Sequence, residues 1–233
     1  MLKAIKNKVK QHRNLKFFLK SPINFFYSVI LTLFYVDKYS CFPAFEINGN
    51  VNFKLLKKKG AYLQINGRLT LEQWLYGKEQ ILLSLNENSN IIIENDFTIG
   101  NGVRIFVDKN AKLIIKGKQS ETASGITANS IIMVRKFIEI GYDCIIAWDT
   151  FITDCDWHGI EGKAHIATTI VGDHVWVGVG VKVLKGVIIG SNSVVTTLSV
   201  LVGKKFPSQA MISGNPANVL KVGIPNWNRE MNS

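Results

Sequence analysis

One eight-residue stretch, Thr153-Asp154-Cys155-Asp156-Trp157-His158-Gly159-Ile160, carries the residue types best able to do acid–base chemistry in this chain. His158 is its centre. An imidazole with an ordinary pKa of about 6.5 can take a proton at neutral pH and return it later, as a general base must. Asp154 and Asp156 supply carboxylates close by in sequence. Either could accept a hydrogen bond from the ring and fix its tautomer, and the spacing does not choose between them. Cys155 lies between the two. At an ordinary thiol pKa of about 8.5 it is mostly protonated unless perturbed, so a nucleophilic role is the weaker reading.

Such a stretch needs a rigid support, and the chain around it has an unusual period. Val171, Val177, Val183, Ile189, Val195 and Leu201 recur at every sixth position. Neither a helical face, at about 3.6 residues, nor a pleated strand, at two, sustains that interval. Gly172, Gly178 and Gly190 each follow one of these aliphatic residues, where a sharply turning chain favours a residue without a Cβ. Short straight segments joined at corners, three to a turn, make a triangular coil with the aliphatic side chains stacked inside it. The expectation is an all-β parallel β-helix.

The same register recurs upstream in Ala128, Val134, Ile140, Ile146 and Ile152, and in Ile93, Ile99, Ile105 and Ala111. Between about 63 and 91 it is weaker, with Leu69 and Leu75 in phase. The spacing breaks across 112–127 and 153–170, so loops or bulges are expected there, and the second interval contains His158. Loops that leave a rigid scaffold tend to carry function. The division expected is a basic, partly helical segment over 1–62, the coil over 63–206 and a C-terminal extension over 207–233.

The formal charge of +11 is unevenly spread. Lys3, Lys6, Lys8, Lys10, Arg13, Lys16 and Lys20 precede any acid, and an apolar run from Ile23 to Val36 follows. That run is short of the roughly 20 residues that span a bilayer, and no small-residue cleavage site marks it as a secretory signal. Two readings of residues 1–36 stay open: a helix lying on an anionic membrane surface, or a helix packed on the coil or a neighbouring subunit. No recognition motif supports nucleic acid as a partner. Three cysteines without paired spacing, Cys41, Cys144 and Cys155, point to a reducing compartment, hence a cytoplasmic location; the membrane-surface reading of residues 1–36 would add peripheral contact at the inner membrane face.

Three blocks resemble a known family: Val171-Gly172-Asp173-His174-Val175-Trp176-Val177-Gly178, Val183-Leu184-Lys185-Gly186-Val187-Ile188-Ile189-Gly190, and Gly214-Asn215-Pro216-Ala217. They are similar to the hexapeptide-repeat acyltransferases with a left-handed parallel β-helix, in particular the branch that O-acetylates sugars, capsules and O-antigens. The resemblance is strong over roughly 128–222, is only a coil pattern over 63–127 and does not extend to 1–62. It implies a homotrimer with active sites between adjacent coils, acetyl-CoA as donor and no metal. His158 matches the family's catalytic base, with Asp154 or Asp156 as its orienting carboxylate. Gly178, Val179 and Thr197 match places where the coil backbone runs beside the pantetheine arm, and Lys204 and Lys205 fall near the family's phosphate-binding base, with Lys221 a further candidate. The chain departs from the family pattern at Thr196-Thr197-Leu198, and its Lys-Lys-Phe-Pro stretch is displaced by one residue. Trp157, Trp176 and His174 are the candidate acceptor contacts, although Trp176 could equally seal a subunit contact.

Rival readings are an N-acetyltransferase acting on an amino sugar nucleotide, a zinc hydratase like the γ-class carbonic anhydrases, and a noncatalytic scaffold. The zinc reading needs three imidazoles around an open coordination site. His158, His165 and His174 are the nearby candidates, at spacings that do not resemble that family's.

Overall fold

The computed structural model describes residues 12–120 and 123–228. Among them, twenty-four short strands form three sheets of eight, nine and seven strands. The sheets are the faces of a triangular prism, which the chain visits in a fixed cycle. Thr169–Val171 lies on the first face, Trp176–Val177 on the second and Lys182–Val183 on the third, and Ile188–Ile189 returns to the first. In these coils, partners eighteen residues apart pair in parallel: Val171 with Ile189, Val177 with Val195, and Val183 with Leu201. The six-residue period is therefore one residue per face pointing inward. All six side chains are buried, each worth about 1.5–3 kcal/mol relative to exposure. This is the left-handed parallel β-helix the spacing and the resemblance pointed to.

The glycines that follow the inward residues serve a purpose other than turning. A Cβ on Gly178 would stand 2.7 Å from the Thr197 backbone nitrogen, and one on Gly172 would stand 2.7 Å from the Ile189 carbonyl oxygen. Close approach of the next coil excludes a side chain there. The left-handed backbone that turns each corner comes two residues later, at His174, Gly180 and Asn192.

The coil is longer than the boundaries drawn from sequence. It begins at Lys38–Tyr39 rather than 63, since Phe45–Asn48 and Phe53–Lys57 already pair in parallel with Leu69–Glu72 and Ile81–Leu85. It also runs past 206, where Val194 and Val195 pair with Met211 and Ile212. An antiparallel strand, Ala217–Val222, closes this end. The early coils were hard to see because their spacing is irregular: Leu75, in phase by sequence, is 91% exposed.

Two helices precede the coil within the described residues. Residues 12–20 form α1 and Pro22–Tyr35 form α2; Lys3, Lys6, Lys8 and Lys10 lie outside the described residues. The buried Arg68 guanidinium anchors α1, donating to Asn14 Oδ1 (2.7 Å) and Glu46 Oε2 (3.1 Å). Arg13 adds bonds to Glu46 and Asp96. α2 is held to the second face by Asn24, which donates to the Gly49 carbonyl, and by Thr32, whose hydroxyl accepts from Ala44 N–H. No helix among the described residues is long and apolar enough to cross a membrane.

Candidate active site

His158 rides on an excursion that leaves the corner between the third and first faces. The strand Phe151–Thr153 ends the third face and Thr169–Val171 opens the first; between them the chain runs out and back as a narrow arm. Asp156 N–H donates to the His165 carbonyl and Ala167 N–H to the Asp154 carbonyl, both at 2.9 Å. The Thr169 hydroxyl bonds the Thr153 carbonyl at 3.0 Å and closes the base. Lys185, one coil on, clamps both sides of the arm: its Nζ lies 2.5 Å from Asp156 Oδ2 and 2.6 Å from the Ala164 carbonyl oxygen.

The two aspartates have separate roles. Asp154 is wholly buried, and its carboxylate accepts three backbone N–H groups, from Arg135, Lys136 and Phe137, each at 2.7 Å. It stitches the neighbouring coil's corner with both its oxygens, and of the two carboxylates left open as partners of His158 it is the one already committed to the backbone. Asp156 is the half-exposed partner of Lys185. Trp157 adopts a left-handed backbone (φ 60) and lays its ring against Phe106, centroids 5.8 Å apart, with Nε1 3.4 Å from Thr153 Oγ1. Packed back onto the coil, Trp157 reverses the chain just before His158. The His158 imidazole is left exposed, with both nitrogens open to an incoming group. Cys155 is buried, and burial raises its thiol pKa, which removes the nucleophile reading.

The other positions marked by sequence fall on different edges of the prism. Gly178, Val179 and Thr197 lie where the second face meets the third; Leu198 N–H there donates to the Val179 carbonyl at 2.8 Å. Lys204 and Lys205 are exposed on the edge that carries the His158 arm, and Lys204 Nζ is bonded to Asn218 Oδ1 at 2.7 Å. Lys221 is on the closing antiparallel strand. The five cofactor positions thus form no single cluster within one chain. His174 turns the remaining corner, between the first and second faces, under Trp227. Their rings stack at 4.1 Å and 10°, and Trp227 Nε1 donates to the His174 carbonyl at 3.0 Å. Trp176, 44% exposed, stands 6.1 Å from the same Trp227 ring. His165 is exposed on the arm, so the three histidines of the zinc reading occupy two different corners.

Comparison with known proteins agrees with this architecture. No known family profile matches the chain. The chain is similar to the crystallographic structure of the polysialic acid O-acetyltransferase OatWY, with a TM-score of 0.55 and 26% identity, covering 80% of this chain and 92% of the other. Its fold is that of the hexapeptide-repeat acyltransferases. In sequence it is 30% identical over 126 residues to a polysialic acid O-acetyltransferase of Escherichia coli O1:K1 / APEC, covering 52% of this chain and 39% of the relative. It is 33% identical over 102 residues to WbbJ of Escherichia coli K12, provisionally named a lipopolysaccharide biosynthesis O-acetyl transferase, covering 36% and 50%. The aligned segments thus span half or less of either relative's length.

Within the hexapeptide-repeat fold, sequence reasoning missed four contributing residues. Lys185 sits inside a regular block, and only the folded arm reveals it as a clamp. Trp227 lies beyond the closing strand Ala217–Val222, and nothing in its surroundings announced a return to His174. Trp74 and Trp148 stand on the same edge as Gly178, and lone tryptophans in irregular coils carry no positional signal.

Proposed function

We propose that the protein is an acetyl-CoA-dependent O-acetyltransferase that esterifies a saccharide hydroxyl, in the synthesis of capsule, O-antigen or another surface polysaccharide. The observation that carries this reading is His158, an open imidazole on an arm that Lys185 and Asp156 hold against the coil. His158 takes the proton of the sugar hydroxyl as that oxygen attacks the thioester carbonyl. The tetrahedral adduct collapses, the carbon–sulfur bond breaks, and the imidazolium returns its proton to the departing thiolate. Acetyl ester and free coenzyme A are the products, and no acyl-enzyme forms. The fold shared with the polysialic acid O-acetyltransferase supports the assignment.

His158 and the Gly178–Val179 edge lie on different corners of one prism, which supports a homotrimer in which the arm of one subunit faces that edge on the next. The test is thiol release from acetyl-CoA with a panel of saccharides, with and without His158→Ala. Acceptor-dependent release should fall about 10²-fold or more in the variant. Release that persists removes His158 from the mechanism.

The N-terminal helices support a location at a membrane face. Leu19 near the end of α1 and Ile23, Phe26, Ile30, Leu33 and Phe34 of α2 are 50–82% exposed, the α2 residues at intervals that line up along one side of that helix. Lys16 and Lys20 are exposed beside them, and no acid precedes Asp37. A contiguous apolar face of this kind in water marks an interaction surface, and the bases favour an anionic lipid headgroup layer. Co-sedimentation with phosphatidylglycerol vesicles, lost in Ile23→Ser/Phe34→Ser and absent with phosphatidylcholine alone, is the expected result.

A further inference from the structure

The edge where the second face meets the third carries an unbroken ladder of backbone hydrogen bonds from coil to coil. Gly102 N–H donates to the Glu79 carbonyl (3.0 Å), Asn129 to Asn101 (3.0 Å), Asp149 to Ala128 (3.2 Å), Gly180 to Trp148 (3.1 Å) and Leu198 to Val179 (2.8 Å). Trp148 is therefore one coil from the Gly178–Val179 position, and the Trp74–Glu79 turn is three coils beyond Trp148. With strands spaced about 4.8 Å, those three coils span on the order of 14 Å.

A cleft of about 380 Å³ opens along this span, lined by Trp74, Leu75, Glu79, Asn101, Asn129 and Trp148 among others. Its volume is that of a small-molecule site. Trp74 and Trp148 are 40% and 47% exposed, so two indole faces stand partly in water on either side of polar groups. The turn that presents them is braced rather than loose. Asn101 Oδ1 accepts from Trp74 N–H at 2.7 Å, and its Nδ2 donates to Glu79 Oε2 at 2.6 Å. Leu75 and Tyr76 are held at φ 46 and 56, a left-handed conformation uncommon outside glycine that persists where surroundings over-determine it.

A sugar ring has an apolar C–H face and a rim of hydroxyls. Indole faces match the first, and a fixed carboxylate and amides match the second. Charge narrows the class further. Among the described residues, Glu79 is the charged side chain lining this cleft, the smaller adjoining cleft beside Trp74 adds Glu72, and neither lining includes a Lys or Arg. We propose that the Trp74–Trp148 cleft binds the acceptor saccharide, and that it takes a neutral or amino-bearing unit in preference to an acidic one. Two carboxylates without a base repel a polymer that carries a carboxylate on every unit, the kind named for two of the relatives. Binding in the cleft can be tested independently of the acetyl-transfer reading, on which its role as acceptor site rests.

The experiment titrates the 233-residue chain with chitooligosaccharide, chitosan oligomer, dextran oligomer and polysialic acid, reading tryptophan fluorescence, with calorimetric acetyl-CoA binding on the same samples. A neutral or amino-bearing oligomer should quench fluorescence, with polysialic acid at least about tenfold weaker. Trp148→Ala and Trp74→Ala should each weaken that binding about tenfold or more, Trp148→Phe should restore most of it, and acetyl-CoA affinity should not move. Glu79→Gln should narrow the gap to polysialic acid. Saccharide binding unchanged in both alanine variants, no binding by any of the four, or a preference for polysialic acid overturns the proposal. So does dissociation of the oligomer in Trp148→Ala by sedimentation, which would make the cleft a subunit seam. Failure of acetyl-CoA to bind, with saccharide binding intact, would instead overturn the transferase reading and leave the cleft standing.

Discussion

Replacing Asp154 separates a structural carboxylate from a catalytic one. Its side chain is wholly buried, with Oδ1 accepting from Arg135 N–H and Oδ2 from both Lys136 and Phe137 N–H. Asp154→Asn keeps one acceptor oxygen and turns the other into an NH2 group that faces donors. In one orientation the Lys136 and Phe137 N–H groups lose their acceptor; flipped, only the Arg135 N–H does, and the remaining oxygen serves the other two. A stranded donor costs roughly 1–3 kcal/mol, and hydrogen bonds to a charged acceptor are at the stronger end. These donors are only part-buried, so water recovers some of that, and about 2–4 kcal/mol is expected. For a chain of this size each kcal/mol lowers Tm by about 2–4 °C, giving a fall of about 5–15 °C by calorimetry. Well below the new Tm, kcat should stay within a few-fold of the unaltered protein. The refuting result is the opposite pattern, a Tm within about 2 °C of the original with kcat down about a hundredfold. Asp154 would then be orienting His158 in the working enzyme.

Other consequences are independent of that one. Lys185→Ala releases both sides of the His158 arm; an exposed ion pair contributes at most about 1 kcal/mol, so Tm should barely change while limited proteolysis cuts within 156–165 and kcat falls. Gly178→Ala drives a Cβ to within 2.7 Å of the Thr197 nitrogen and should cost about 1–3 kcal/mol through separation of two coils, measured by denaturant unfolding. Burial raises the thiols of Cys144, to about 12, and Cys155. Both should resist a thiol reagent at pH 8 until the protein unfolds, while Cys41, which is only half-buried, reacts. Because the folded thiol of Cys144 holds its proton beyond the ordinary thiol range, its contribution to stability is whole below the unfolded thiol's pKa of about 8.5 and is lost as pH rises toward about 12, which a pH series of unfolding midpoints checks in a Cys144→Ala comparison.

The repetitive part of the coil was legible because each inward side chain must meet one eighteen residues away, so a local error in spacing would break the stack. The breaks in phase were legible for the same reason, and the one at 153–170 became the His158 arm. The early coils were not. Where strands lengthen to four or five residues, as in Phe53–Lys57 and Ile81–Leu85, the six-residue beat dissolves while the stack survives. The glycine positions are legible but their reason is not: they are set by the approach of the next coil, a distance between residues far apart in sequence.

His158 stood out by residue type alone, and its carboxylate neighbours with it. Their division of labour did not, because Asp154 and Asp156 differ by only two positions and the choice depends on which side of a strand end faces the coil. The sequence by itself determined the prism, the inward column and the interval from which a functional arm must leave, since those follow from period and side-chain volume. The tertiary structure alone decided that Asp154 is sealed under three amides, that Lys185 reaches back to grip the arm, and that Trp74 and Trp148 share an edge with Gly178. Each of those facts joins residues from different coils, and coil stacking rather than chain neighbourhood sets their distance.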